Sequence, residues 1–141
     1  SNAWEDLSAT DAGNWVSTSA SWGVAVNPND NLVYTGSSDG KFGVYNRTSN
    51  AWEDLSATDA GNWVSTSDGR GVAVNPNDNL VYTTFFNGKL GVYNRTSNIL
   101  TDLSATDAGN WVSTSAVLDV TINPNDNLVY TGISHGKFGV Y

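Results

Sequence analysis

The stretch Gly23-Val24-Ala25-Val26-Asn27-Pro28-Asn29-Asp30-Asn31-Leu32-Val33-Tyr34-Thr35 decides the fold of this chain. Large apolar residues two apart in 23–27 give the period of a half-buried strand. Pro28 fixes φ, and Asn29, Asp30 and Asn31 carry side chains that bond their own backbone, so 28–31 is a turn. Leu32-Val33-Tyr34-Thr35, β-branched and aromatic, is a second strand. Further out, Ser38-Asp39-Gly40 is a tight turn, because Asp-Gly accommodates the positive φ of a hairpin. Lys41-Phe42-Gly43-Val44-Tyr45 is a third strand, closed by the polar loop Asn46-Arg47-Thr48-Ser49-Asn50. Trp52-Glu53-Asp54-Leu55-Ser56 is expected to be a fourth strand, shorter and more polar. No segment carries helical periodicity over three turns.

The same reading recurs along the chain. Residues 3–50 and 51–98 are copies of one unit, differing only at 20–22, 36–39 and 42, and 99–141 is a third copy. The third lacks the last five residues of the unit. A repeat of this length with short strands inside marks a propeller blade or a solenoid unit. Such a unit is too small to bury a core alone and must stack on its neighbours. Four antiparallel strands per unit make a propeller blade.

The run from Val24-Ala25-Val26-Asn27-Pro28 through Leu32-Val33-Tyr34-Thr35-Gly36 to Lys41-Phe42-Gly43-Val44-Tyr45-Asn46 resembles a WD40-type blade and is similar also to YVTN and NHL repeats. The likeness returns in all three copies. Tyr45-Asn46 stands where that family closes its third strand with Trp-Asp, and the usual Gly-His pair is missing. The buried His–Asp network of the family therefore has no counterpart residues here, while the blade geometry does not depend on it.

The expected fold is all-β: 1–141 is a half-propeller of three four-stranded blades. Propellers carry about four to eight blades, and three leave two open sheet faces. Such apolar faces need covering, and two chains related by a two-fold axis give six blades. In that dimer the opening strand of one chain, expected over 4–8, completes the last blade of the other and protects its edge. The chain is thus expected to partner itself.

Variation among the copies gathers in two places. One precedes the first strand: Ala20-Ser21-Trp22-Gly23, Asp68-Gly69-Arg70-Gly71 and Ala116-Val117-Leu118-Asp119. The other ends the second strand: Gly36-Ser37-Ser38-Asp39, Thr84-Phe85-Phe86-Asn87 and Gly132-Ile133-Ser134-His135. In an antiparallel blade the first strand begins where the second ends, so both places lie on one rim. The turns of the opposite rim are letter-for-letter constant. A rigid scaffold that presents changeable loops is a common binding surface, and WD40-type propellers, by resemblance, hold peptides and proteins there. The candidate rim residues are Ser21, Trp22, Asp39, Asp68, Arg70, Phe85, Phe86, Asn87, Leu118, Asp119, Ile133 and His135. Exposed aromatics and Arg are typical interface anchors. Neutral drift is the plainer reading, and for Phe85, Phe86 and Ile133 so is packing between blades.

A rival site uses Trp15, Trp63 and Trp111, each preceded by Asn14, Asn62 or Asn110 and identical in all copies. Their indoles could stack on sugar rings and make a multivalent lectin. Wedging between blades is the simpler role for such a Trp. A third possibility is a designed or amplified repeat protein with no ligand.

Composition excludes several classes. Six basic residues face fourteen acidic ones, a net charge of −8, which disfavours phosphate neutralisation and hence nucleic acid. Cysteine is absent, so there are no disulfides or thiol chemistry. His135 is the single histidine and has no second ligand type beside it. Asp11, Asp59 and Asp107, like Asp30, Asp78 and Asp126, sit in turn motifs without the spacing of a calcium loop. No phosphate loop, nucleophile elbow or metalloprotease motif occurs. No enzymatic activity, cofactor or metal is expected. Asn46-Arg47-Thr48 and Asn94-Arg95-Thr96 fit the glycosylation sequon but read as turns. No apolar run reaches membrane-spanning length and no basic-then-apolar leader opens the sequence, so a soluble chain is expected.

Overall fold

The computed structural model describes residues 3–10, 14, 17, 19–58, 64, 66–106, 111 and 115–141. In the first unit Ser21–Val26 (β1), Leu32–Ser37 (β2), Phe42–Asn46 (β3) and Ala51–Asp54 (β4) hydrogen-bond in that order as one antiparallel sheet. Gly69–Asn75 (β5), Leu80–Phe85 (β6), Leu90–Asn94 (β7) and Ile99–Asp102 (β8) repeat the arrangement. Val117–Asn123 (β9), Leu128–Ile133 (β10) and Lys137–Val140 (β11) form a three-stranded sheet. The chain is all-β, and its sheets have the form of propeller blades.

Turn chemistry explains the registers. Asn31, Asn79 and Asn127 take φ near 60° at the same place in each unit, a conformation Asn tolerates, and Gly40 and Gly88 take φ of 78° and 89° in the β2–β3 and β6–β7 turns. Asp30 ties its turn, accepting from the Leu32 amide at 2.9 Å and from Asn27 Nδ2 at 3.1 Å.

Two expected strands are corrected. The fourth strand ends at Asp54, and Leu55–Thr58 (α2) is a helical turn. The Asp54 carboxylate caps it, accepting from the Ala57 amide at 3.2 Å and from the Ser56 hydroxyl, while the Thr58 hydroxyl donates to the Asp54 carbonyl at 3.0 Å. Capping by Asp outweighs the strand pattern of the preceding residues. Identical turns occur at Leu7–Thr10 (α1) and Leu103–Thr106 (α3). Residues 4–8 accordingly are not a strand: 3–6 are unpaired, Leu7 begins α1, and Trp4 is fully exposed. A strand needs a neighbour to supply its ladder bonds, and residues 3–6 pair with no strand among the described residues. For the same reason the third sheet has three strands rather than four.

The core lies between sheets. Leu32, Tyr34, Phe42 and Val44 of the first unit pack with Val72, Val81, Tyr93 and Leu100. One unit on, Tyr82 and Leu90 pack with Val120 and Val129. Each unit therefore offers one apolar face forward and receives its predecessor on the other.

The constant rim is locked by amides. Asn27 Nδ2 donates to Asn79 Oδ1 at 2.9 Å and Asn75 Nδ2 to Asn127 Oδ1 at 3.1 Å. Asn29 Nδ2 donates to the Pro76 carbonyl and to Asn79 Oδ1, and Asn77 Nδ2 to the Pro124 carbonyl and Asn127 Oδ1. Asn27 and Asn75 are wholly buried. An orphaned buried amide is costly, which accounts for a turn sequence that does not vary.

Candidate functional site

The variable residues sit on irregular backbone. In β1, Ser21 and Gly23 pair with the adjacent residues Ser37 and Gly36, so Trp22 is the extra residue of a bulge. In β9, Val117 and Asp119 pair with Ile133 and Gly132, which makes Leu118 the extra residue. The β5–β6 register slips between Gly69 and Val72, across Arg70. A bulge re-aims its side chain out of the strand alternation. Three equivalent positions, 22, 70 and 118, are thus turned off their sheets at one rim.

β1 packs on β5, and β5 on β9. The Arg70 guanidinium consequently lies over the Trp22 ring at 4.7 Å and over the Phe86 ring at 4.9 Å from the centroids. Asp68 holds the same guanidinium at 3.0 Å. Arg70 Nε is buried and has no partner among the described residues. Trp22, Gly23, Val24, Arg70, Val72, Leu118 and Asp119 line an open cavity of about 490 Å³, within the usual range for ligand pockets. Half of the Trp22, Phe86 and Leu118 surfaces remains exposed.

Other candidates fall elsewhere. Phe85 and Ile133 are buried and face the protein interior, so they support the rim without presenting themselves on it. Asp39 accepts from the Ser17 hydroxyl at 2.7 Å. Ser21 and Asn87 are exposed at the rim. His135 is exposed in a 3₁₀ turn, Ser134–Gly136, with φ of 66° and Nδ1 3.1 Å from the Ser134 hydroxyl. Among the described residues no group of three His, Cys, Asp or Glu is placed to hold a metal. No helix of the described residues is long and apolar enough to cross a membrane.

Of the Trp–Asn candidates, Trp15, Trp63, Asn62 and Asn110 lie outside the described residues. Trp111 is half-buried against Tyr82, Leu90 and Val120, and its indole N–H donates to the Gly88 carbonyl at 2.9 Å. That is a wedge between units. Asn14 is exposed. Copy comparison missed Val24 and Val72 as cavity walls, because a residue that does not vary gives no signal by variation, and it placed Gly23 in a variable stretch without naming it a candidate.

The WD40 family model (WD domain, G-beta repeat) matches residues 12–46, the stretch that holds β1, β2 and β3. No curated protein matches the chain. Over those residues the first unit is similar to a WD40 repeat, and the antiparallel sheets are consistent with blades of that type.

Proposed function

We propose that this chain is a non-enzymatic binding scaffold whose variable rim holds a peptide or protein partner. One observation carries the reading: bulges in three successive units aim Trp22, Arg70 and Leu118 into one cavity. Aromatic, guanidinium and aliphatic groups around a half-open cleft supply the anchors that peptide interfaces use. Asp119 adds a carboxylate at the wall. The sugar-binding alternative has less support, since the one described indole of that set already spends its N–H on Gly88. Selection of a phage-displayed random peptide library on the chain tests the proposal. Binders should lose affinity about tenfold or more on Trp22→Ala or Leu118→Ala. Enrichment of glycans on an array, with no peptide enriched, would reverse it.

The scaffold works as half of a six-bladed ring closed by a second copy. Forward-face residues that are buried in the first unit are open in the third: Phe42 is 0 % and Phe138 69 % exposed. The receiving face shows the converse, with Val72 at 7 % and Val24 at 68 %. Each copy carries both halves of a contact that the chain makes twice with itself. Closing it removes both exposed faces and places the variable rims of two chains around one channel.

A further inference from the structure

We infer that the two copies are clasped at the constant rim by a directional amide joint, with Asn123 and Asn125 as donors and Asn31 and the Pro28 carbonyl of the second copy as acceptors. The inference rests on the ring closure proposed above and assigns its polar contacts. Its basis is the amide ladder already formed twice within the chain. At each internal joint the earlier unit supplies two Nδ2 donors and the later unit supplies an Asn Oδ1 and a Pro carbonyl. At the ends the set is split. Asn123 Nδ2 donates to Asp126 at 2.7 Å, where Asn27 and Asn75 each make the corresponding bond and also a second across the joint. Asn125 Nδ2 and, at the other end, Asn31 Oδ1 and the Pro28 carbonyl make no such bond among the described residues. An amide nitrogen has two hydrogens to give and a carbonyl oxygen two lone pairs to fill. One end of the chain is thus left with donors and the other with acceptors, so the joint is head to tail.

The amino-terminal segment already stands in the position this joint requires. Glu5 pairs with Arg47 at 3.3 Å just as Glu53 pairs with Arg95 at 3.1 Å. In the second pair Glu53 belongs to β4, the outer strand of the preceding sheet. Residues 3–6 therefore occupy, against the first unit, the place of an outer strand for a preceding sheet. In the closed ring that sheet is β9–β10–β11 of the second copy, whose β11 edge is open among the described residues.

The closing joint differs from the internal ones at the opposite rim. A Cβ on Gly71 would meet Val120 N at 2.7 Å, and one on Gly23 would meet Val72 N at 2.8 Å. The third unit has Asp119 at this position. Its side chain holds the closing joint wider at the channel, while the Asn side keeps its spacing. The joint is tight at one rim and splayed at the other.

Sedimentation velocity and native mass spectrometry of the 141-residue chain over a concentration series test this. The wild-type chain should be a two-chain species, twice the 15.0 kDa chain mass. Asn125→Asp replaces a donor with a carboxylate facing two acceptors and should weaken the dimer at least about tenfold. Asn31→Asp keeps an acceptor and should leave it as tight or tighter. Neither residue's side chain bridges units within the chain, so Asn125→Asp should unfold in urea like wild type at concentrations where both are single chains. Asp119→Gly should tighten the dimer. A wild-type chain that stays single at every concentration overturns ring closure and the joint together. A two-chain wild type that ignores Asn125→Asp, or loses affinity equally in Asn31→Asp, overturns the joint and leaves closure by the apolar faces standing.

Discussion

Trp22 and Arg70 occupy the same position in successive units and touch, the guanidinium standing 4.7 Å from the indole centroid. Identical units would stack Trp on Trp or Arg on Arg at this point. The third unit carries Leu118 there. Divergence at the rim therefore has a structural consequence whatever the rim binds: it converts a like-on-like contact into a cation–π pair. Such pairs contribute about 0.5–1 kcal/mol when partly exposed. A double-mutant cycle of Trp22→Ala and Arg70→Ala, read by urea unfolding, should give a coupling of about that size. Additive losses would show that the two side chains are neighbours without interaction.

The ladder predicts unequal costs for two equivalent asparagines. Asn75 is buried and bonds both Asp78 and Asn127, whereas Asn123 is partly exposed and bonds Asp126. Asn75→Ala removes the cross-joint bond and also takes a donor from the Asp78 carboxylate and the acceptor from the Asn77 amide, a loss of about 1–3 kcal/mol. Asn123→Ala, measured at a concentration where the chain is single, should cost less than half as much. Equal costs would mean that the ladder contributes nothing across the joint.

Glycine positions separate the tight joint from the loose strand. Gly71→Ala sets a Cβ against Val120 N and Asp119 Cα of β9, both backbone atoms that cannot swing away, and should cost about 1–3 kcal/mol. Gly132→Ala meets nothing within 4 Å and should be nearly neutral. Thermal melts of the two variants check this, and similar midpoints would refute the close approach of β5 and β9.

How much of this was legible follows from what each residue does locally. The strands around Asn27 and Tyr34, and the positive-φ turns at Asn31 and Gly40, answer to short-range chemistry and were readable to within two residues. The rim assignment followed from antiparallel direction, and the Ser21–Ser37 pairing places both variable stretches together. What escaped was the second duty of residues with an evident first one. Asn27 reads as the end of the first strand, yet its Oδ1 accepts from the Asn29 amide at 3.0 Å and its Nδ2 reaches Asn79 in the next unit. Asp54 closed a strand-like run and hid a helix cap. The bulge that turns Trp22 outward depends on pairing with Ser37 and Gly36, which no local pattern carries.

Tyr34 offers a test of the interior. Its hydroxyl is buried with no partner among the described residues, and burial, reinforced by the charge of Asp30, holds its pKa far above the ordinary tyrosine range. Removing an unsatisfied buried hydroxyl removes a desolvation cost. Tyr34→Phe should therefore leave stability unchanged or raise it by about 1 kcal/mol in urea unfolding. A loss above about 1 kcal/mol would show that the hydroxyl is bonded in solution.

Tyr82 sets the alkaline limit. Burial, followed by the charges of Asp78 and Tyr141, pushes its pKa up to about 12 from the ordinary 10.0. The folded chain thus holds this proton at pH values where the unfolded chain has released it. Above pH 10 the unfolded state binds fewer protons, so stability falls as pH rises, and the fall levels off above pH 12. The full contribution is present below pH 10 and is on the order of 2 kcal/mol. Urea midpoints taken from pH 8 to 12 should decline through this window. Tyr82→Phe has no phenol to ionise and should decline less, so the wild-type chain loses stability relative to the variant as pH rises. Parallel curves would place the Tyr82 hydroxyl in water and remove it from the joint between the second and third units.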